Sequence, residues 1–499
     1  ALPGIPVVYY GDEIGMPGAN DPDNRRPMDF GPYRGKQSQF HQQVKALIRL
    51  RRQNLPLAYG ETRILHASEN RILLERDYLG QRTYVAINRD AAAWDPASLL
   101  PRTGEIEVWW KGIERMANKE KPLTVQKIRN FLRLMRKGKK RALAPKTTMQ
   151  VHRSPQQEWL KRGLVLFACA LGQHVVGQQA VNPLLYEVNL RQHTPEGTIA
   201  AFQAQLDRMT ALGVDMIWLM PVQPIGVQKR KAKGDLFVED IADTNLRKQY
   251  LGSPYSIRDY KAVNPDFGTL TEFRGLVKAC HERKIRVILD WVGNHTAWDH
   301  PWISAHPDWY TKNANGGITD PLNEEGQSMG WTDVADLDYS NRAMRKEMIA
   351  AMRFWLDSTG IDGFRCDVAM SVPADFWEEA RQSFADYKDL FMLAESEEHD
   401  MAQFWGTKAM ASGAERSKGA AGPFNAYYSW ELHHLLNQVA RGKEKASAIG
   451  PMVDRKLLRF PAGVQPMNFI TNHDENSWNG TEFERMGAAW EPGAVRTCP

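Results

Sequence analysis

Cysteine is scarce in this sequence: Cys169, Cys280, Cys366 and Cys498 are the four in 499 residues. They are scattered, without metal-ligand spacing, which speaks against a zinc module or a disulfide-stapled scaffold and leaves the redox compartment open. Long apolar runs are missing too. No stretch reaches the roughly 18 apolar residues of a membrane span, so no span is expected. Charge of one sign is nearly absent overall, at a net +5, but it is unevenly placed. Lys111 to Arg162 holds 16 Lys/Arg against 3 Asp/Glu, a local +13, so the remainder carries −8. Such a run can meet nucleic acid or a membrane surface. It lacks the interleaved aromatic platforms on which bases stack, so no nucleic-acid partner is expected and the run reads as a solvated linker. What the chain does have is an apolar fraction of 42% with 16 Trp and 15 Tyr, at a length able to bury a large core plus one or two satellite domains.

From about Pro183 onward, strand and helix signals alternate, which is the pattern of a parallel α/β fold. Strand-like runs are Leu184–Leu190, Asp215–Val222, Ile285–Asp290, Gly363–Val368, Leu390–Glu395 and Met467–Asp474, with a weaker one at Asn425–Leu432. Helical periodicity falls at Ile199–Leu212, Leu270–Arg283, Arg342–Ser358 and Phe376–Tyr387. An eighth strand would close a barrel, and it is found at the other end of the chain as Ile5–Tyr10. If one barrel forms, that segment pairs between the runs Leu184–Leu190 and Met467–Asp474.

The stretch from about 295 to 340 is too long for an ordinary connection and reads as an inserted lobe over the barrel mouth. Alternation such as Thr83-Tyr-Val-Ala-Ile-Asn88 predicts a small antiparallel β-sandwich over about 58–110. Within the basic segment 111–182, Val125, Ile128, Leu132 and Met135 share one helical face. Lys161-Arg162, the apolar run Gly163–Leu171 and the small-residue end at Ala180 have the layout of a secretory signal inside the chain, so a secreted or periplasmic location is expected, with the cytoplasm open. A short buried strand or helix fits the same run.

Carboxylates end the strand runs: Asp290, Asp367, Glu395 and Asp474. One carboxylate in such a place is ordinarily a helix cap or a salt-bridge partner. Four converging on the C-terminal mouth of a parallel barrel are harder to explain structurally, because like charges repel and gather where shifted pKa values are useful.

The residues around them are specific. Asp290-Trp-Val-Gly-Asn-His295, Gly363-Phe-Arg-Cys-Asp367, Leu393-Ala-Glu395 and Phe469-Ile-Thr-Asn-His-Asp474 resemble, in order, the four conserved regions of the α-amylase family of glycoside hydrolases. Ile217-Trp-Leu-Met-Pro221, Ala335-Asp336-Leu-Asp338 and Gly4-Ile-Pro-Val-Val-Tyr-Tyr-Gly11 support the match. The resemblance implies a TIM (β/α)8 barrel that acts on an α-glucan, cleaving mainly α-1,4 bonds of starch or maltodextrins with retention. It implies Asp367 as nucleophile, Glu395 as general acid/base and Asp474 as third carboxylate. Arg365, His295, His473, Tyr255 and Asp290 would serve the substrate, with Asp21 and Arg25 on an N-terminal loop. Asn294 and Asp336 match positions that hold a structural calcium in many members; no organic cofactor is implied.

Two departures matter. Where many starch-acting members carry a Lys-His pair, this chain has Met370 and Ser371, which leaves open a neopullulanase- or cyclomaltodextrinase-like enzyme, a transglycosylase or an inactive glucan-binding relative. The order of segments is also unusual: the last strand and its helix (1–57) and the β domain (58–110) precede the linker (111–182) and strands one to seven (183–499). A circular permutation and a joining of two neighbouring genes both fit that order.

Overall fold

The computed structural model describes residues 2–16, 26–88, 94, 96, 99, 182–232, 236–323, 325–396, 404, 422–459 and 464–474. In chain order the strands are β1 (Ile5–Tyr9), β2 (Glu61–Ala67), β3 (Arg71–Tyr78), β4 (Gln81–Asn88), β5 (Leu185–Val188), β6 (Met216–Leu219), β7 (Arg286–Val292), β8 (His295–Ala297), β9 (Val334–Asp336), β10 (Gly363–Asp367), β11 (Phe391–Ala394), β12 (Ala426–Tyr428) and β13 (Gln465–Asn468). The barrel strands read as near-continuous apolar runs because both of their faces are covered, as parallel sheets require. All of β7 except Arg286 is buried, and so is all of β10. Eight strands close in the order β1-β13-β12-β11-β10-β7-β6-β5.

The helices follow local signals. In Leu270–Glu282, Phe273, Leu276, Val277 and Cys280 recur at helical spacing and face inward. Its start is fixed reciprocally: the Glu272 N–H donates to the Thr269 hydroxyl (3.2 Å), and the Thr269 N–H donates to the Glu272 carboxylate (2.7 Å). Arg342–Thr359 begins at Asn341, whose side chain accepts from Ala343 and Met344 N–H, and stops at Gly360 in the left-handed region. The expected helix Ile199–Leu212 is broken in two, Ile199–Gln203 and Leu206–Leu212. Of the weak strand expected at Asn425–Leu432, only Ala426–Tyr428 is extended; helix takes over at Trp430, with Leu432, Leu435 and Val439 buried on one side.

The N-terminal strand closes the barrel where the pairing expectation placed it. Ile5 and Pro6 pair with Met467 and Asn468 of β13, while Val7, Val8 and Tyr9 pair with Leu185, Tyr186 and Glu187 of β5. Side chains bolt this seam. Asn468 donates to the Pro3 carbonyl (2.8 Å), Thr471 to Asp12 (2.7 Å) and Tyr186 to Glu13 (2.7 Å), and Arg208 forms an ion pair with the fully buried Glu13.

The sheet β2-β3-β4 is antiparallel, as expected. Among the described residues, however, it is not one half of a sandwich. Ile72 and Leu74 pack on Leu435, Val439, Ile449 and Val453 of the helices Trp430–Ala440 and Ile449–Arg459, and Leu73 and Tyr84 on the other face meet Trp94. Helices therefore cover the Ile72 and Leu74 face, and most of residues 89–110 of the expected sandwich lie outside the described residues. The basic segment 111–162, its apolar helical face and the signal-like run at 163–180 lie outside the described residues. In the lobe, β8 and β9 form a two-stranded antiparallel ribbon with His295 opposite Asp336. Among the described residues no helix is long and apolar enough to cross a membrane.

One buried polar group near the seam is unpaid for by any bond. His193 is fully buried among Tyr10, Phe30, Tyr186 and Phe202, and neither ring nitrogen has a hydrogen-bond partner among the described residues. Burial, and then Arg208, push its pKa down to about 3. An unfolded histidine takes up a proton near pH 6.5 and the folded one does not, so stability falls as pH drops from about 6.5 to about 3. His193→Phe removes both the unbonded nitrogens and this proton linkage. We expect it to raise stability by about 1 kcal/mol or more at neutral pH and by more at pH 4–5, read as thermal midpoints at both pH values.

Candidate active site

Parallel strands deliver their C-terminal ends to one mouth, so chain register decides which acids meet there. Strand β10 places Arg365 opposite Asp290 of β7 and opposite Leu393 of β11. Side chains two apart share a face, so Arg365 and Asp367 project together. Cys366 pairs with Ala394, which sets Asp367 and Glu395 side by side one residue further on.

Arg365 is the hub. One terminal nitrogen contacts Asp290 at 2.9 Å and Asp367 at 2.6 Å, the other lies 2.7 Å from Glu395, and Nε donates to the Tyr428 hydroxyl at 3.1 Å. Its ring neighbours are Trp218, Tyr255 and Tyr428, all with centroids within 5.9 Å of the guanidinium carbon. Burial disfavours this charge, yet Asp290 and Glu395 hold the pKa well above the ordinary arginine value.

The side chains of Asp290 and Arg365 are wholly buried, those of Asp367 and Glu395 are 10% and 11% exposed, and that of Asp474 is 34% exposed. The last three therefore face the mouth. The first two support them from below. Asp290, expected among the substrate-binding residues, has its oxygens occupied: Trp218 and Tyr255 donate to one (3.1 Å each) and Arg365 to the other. Its place in the structure is under the site, aiming Arg365.

The acids differ in proton affinity. Burial pushes the Asp367 carboxyl up to about 6 against the pull of Arg365, with Asp290 and Asp474 adding to the rise. Burial likewise pushes Glu395 up to about 7, opposed by Arg365 and reinforced by Asp367 and Asp474. Desolvation outweighs one guanidinium shared by three acids. Both carboxyls are thus held above the ordinary carboxylate range, which favours a shared proton in the cluster.

Val368 shapes the pair from the backbone. It adopts φ 34°, ψ 50°, a left-handed conformation unfavourable for a β-branched residue. In return its N–H donates to the Glu395 carboxylate (2.7 Å), and the next N–H, of Ala369, donates to the Glu395 carbonyl (2.8 Å). Met370 and Ser371 follow in a single 3₁₀ turn.

On the far side, His473 is buried. Its Nδ1 lies 2.5 Å from Glu187, its Nε2 lies 3.1 Å from Asp474 and 2.6 Å from the Tyr255 hydroxyl, and Tyr255 stacks on the ring at 5.5 Å. The hydroxyl of Tyr255, named above among the substrate-serving residues, is bound into this network and joins His473 to Asp290. His295 sits in the lobe ribbon, edge-on to Trp331 at 5.9 Å. Burial pushes its pKa down to about 4, so it is neutral at physiological pH.

Asp21 and Arg25 lie outside the described residues. Asn294 and Asp336 are close in space, since the Leu337 N–H donates to the Asn294 carbonyl (3.1 Å). Burial raises the pKa of Asp336 to about 6. Calcium takes six to eight oxygens, and among the described residues no group of three His, Cys, Asp or Glu forms that could hold a metal. The donors on these two residues do not by themselves complete such a shell.

Sequence reasoning missed Glu187, Trp218 and Tyr428. Glu187 left a trace, as a lone acid inside the apolar run Leu184–Leu190. Trp218 and Tyr428 look like core aromatics, and pack as such, while giving Asp290 and Arg365 their bonds.

The family described as "Alpha amylase, catalytic domain" matches residues 181–418 of this sequence. That stretch, a little under half of the chain, resembles the catalytic domain of the α-amylase family. Among similar proteins, α-amylase MalA of Haloarcula japonica is 25% identical over 331 residues, covering 64% of the chain and 43% of that protein. An α-1,4-glucan:maltose-1-phosphate maltosyltransferase of Rhodospirillum rubrum is 31% identical over 220 residues, covering 42% and 31%. The crystal structure of an α-amylase from Lactobacillus plantarum is 32% identical, with a TM-score of 0.48, covering 59% of this chain and 64% of that one. The chain therefore spans less than half the length of either curated relative.

Proposed function

We propose that this chain hydrolyses α-glucosidic bonds, mainly α-1,4, in starch or maltodextrins with retention of configuration. The observation that carries the reading is the single guanidinium of Arg365 holding Asp367 and Glu395 together at adjacent strand ends. A retaining glycosidase needs two carboxyl groups roughly 5–5.5 Å apart, one to attack and one to protonate the leaving oxygen. Asp367, the more acidic of the two and paired with Arg365, attacks the anomeric carbon. Glu395, the less acidic, gives its proton to the departing oxygen and then takes one from water. Asp474, the most open of the three, accepts hydrogen bonds from sugar hydroxyls and favours the distorted ring of the transition state. His473, buried beneath Asp474, holds that carboxylate in place.

The direct test is NMR of the first product released from maltoheptaose: the α-anomer supports retention, and the β-anomer overturns it. Proton affinities add a second test. Activity should rise as Asp367 loses its proton near pH 6 and fall as Glu395 loses its own near pH 7, giving a narrow bell. Glu395→Gln should erase the alkaline limb. It should also spare substrates with a good leaving group, which need little protonation, while natural glucans lose about 10²-fold or more in turnover. Equal losses on both substrate types would remove Glu395 from the acid/base role.

A second reading, glycosyl transfer, is favoured by the match to a maltosyltransferase at 31% identity. Product chain lengths with and without maltose 1-phosphate separate the two: elongation of an acceptor glucan indicates transfer, and reducing-sugar release alone indicates hydrolysis.

A further inference from the structure

Strand β1 separates β5 from β13 at the seam of the barrel. Glu187, at its C-terminal end of β5, reaches across that strand to the residues following β13. One of its oxygens lies 2.5 Å from His473 Nδ1 and also accepts from the His473 backbone N–H at 3.3 Å. The same carboxylate thus grips both ring and main chain. Glu187 is fully buried, and its second oxygen has no hydrogen-bond partner among the described residues. A carboxylate so buried is stabilised by a cation against it, because an unpaired buried charge is severely penalised.

We propose that Glu187 is a positioning residue of the cleft, which keeps the His473 ring a cation and turns its Nε2–H toward Asp474 and Tyr255. The groups packed against His473 agree with this. Glu187 faces it from β5 and Asp474 from the adjoining position, both acidic. Trp218 of β6 sits edge-on at 5.6 Å, and Tyr255 stacks on the ring and passes its own hydroxyl hydrogen to Asp290. Arg365 stands beyond Tyr255 and Trp218. Burial alone would discharge the imidazole, but Asp474 and Glu187 together raise its pKa to about 10. The charge has a use. It faces the Asp474 carboxylate at 3.1 Å and sets the orientation of that group from below.

For its effect on turnover this inference rests on the hydrolase reading; for the state of His473 it does not. The first experiment is therefore a histidine-ring NMR titration of the unmodified protein, with the His473 signal assigned by its loss in His473→Gln. A ring still protonated above pH 8 supports the inference, and a midpoint near 6.5 overturns it. Glu187→Gln, which keeps the shape and removes the charge, should lower the His473 midpoint by more than one pH unit. An unchanged midpoint overturns the role. If that variant does not fold, Glu187→Asp keeps the charge but withdraws it by one methylene, and a midpoint below that of the unmodified protein is again required. In kinetics, Glu187→Gln should reduce kcat/KM by tenfold or more, and the reduction should disappear when His473 is already glutamine. A loss that persists in full without His473 assigns Glu187 a merely structural part. Should the unmodified protein cleave no glucan, the hydrolase reading fails while the titration still decides what Glu187 does.

Discussion

Asp367→Asn is expected to lower turnover on maltodextrins by about 10⁴-fold, while glucan binding and the folded state survive. The amide has the shape of the carboxylate and can still face Arg365, but it cannot attack the anomeric carbon. The stability side has a definite sign. Because burial raises the Asp367 pKa from 3.8 to about 6, its charge is less favourable in the folded chain than in the unfolded one. That penalty is absent below about pH 4 and fully present above about pH 6. Removing the charge should therefore leave the thermal midpoint at pH 7 equal to or above that of the unmodified protein, with the difference vanishing near pH 4. Steady-state kinetics, calorimetric titration with maltoheptaose and thermal melts at both pH values make the check. A variant that keeps a tenth of the turnover excludes Asp367 as nucleophile, and one that is inactive because it melts early says nothing for the chemistry.

The other large effect concerns the seam. Deleting residues 1–15 removes β1, so β5 and β13 each lose a parallel partner and expose unpaired backbone to the barrel interior. It also strips Glu13 from Arg208, leaving a largely buried guanidinium without its carboxylate; losing one partner of such a pair costs about 3–5 kcal/mol. The loss of Ile5 from the core inside the barrel adds to this. We expect the truncated chain to lose cooperative thermal unfolding and to scatter light on heating, with activity lost at the same time. A truncated chain that melts as sharply as the full one would show that closure by β1 is dispensable. Glu187 and His473 straddle the same strand, so the deletion should also release the histidine from its carboxylate.

The order of segments along the chain and the order of strands around the barrel are separate matters. Strand β1 sits between β13 and β5 whichever history brought its sequence to the N-terminal side. A permuted gene and a joined pair of genes lead to the same hydrogen bonds.

Much of the site was legible in the sequence because its signals are local. Apolar runs of strand length ending in Asp290, Asp367 and Glu395 mark where parallel strands reach the mouth, and the two-residue period puts Arg365 on the face of Asp367 without any knowledge of the fold. Helix Leu270–Glu282 was visible for the same reason, since its cap and its apolar stripe lie within one continuous segment.

Other features rest on contacts between distant parts of the chain, and no window of sequence contains them. His473 meets Glu187 across 286 residues, and Trp218 meets Asp290 across 72. A glutamate in an apolar strand reads alike whether its partner is a histidine, an arginine or water. Proton affinity is less local still, because desolvation comes from everything packed around a group: the sequence supplied the acids, and burial beside one shared guanidinium raised both Glu395 and Asp367. The cover of the small sheet was decided in the same way. Apolar residues in β3 called for cover, and helices from beyond β12 supply it at Ile72 and Leu74, a contact between distant parts of the chain that no local pattern contains.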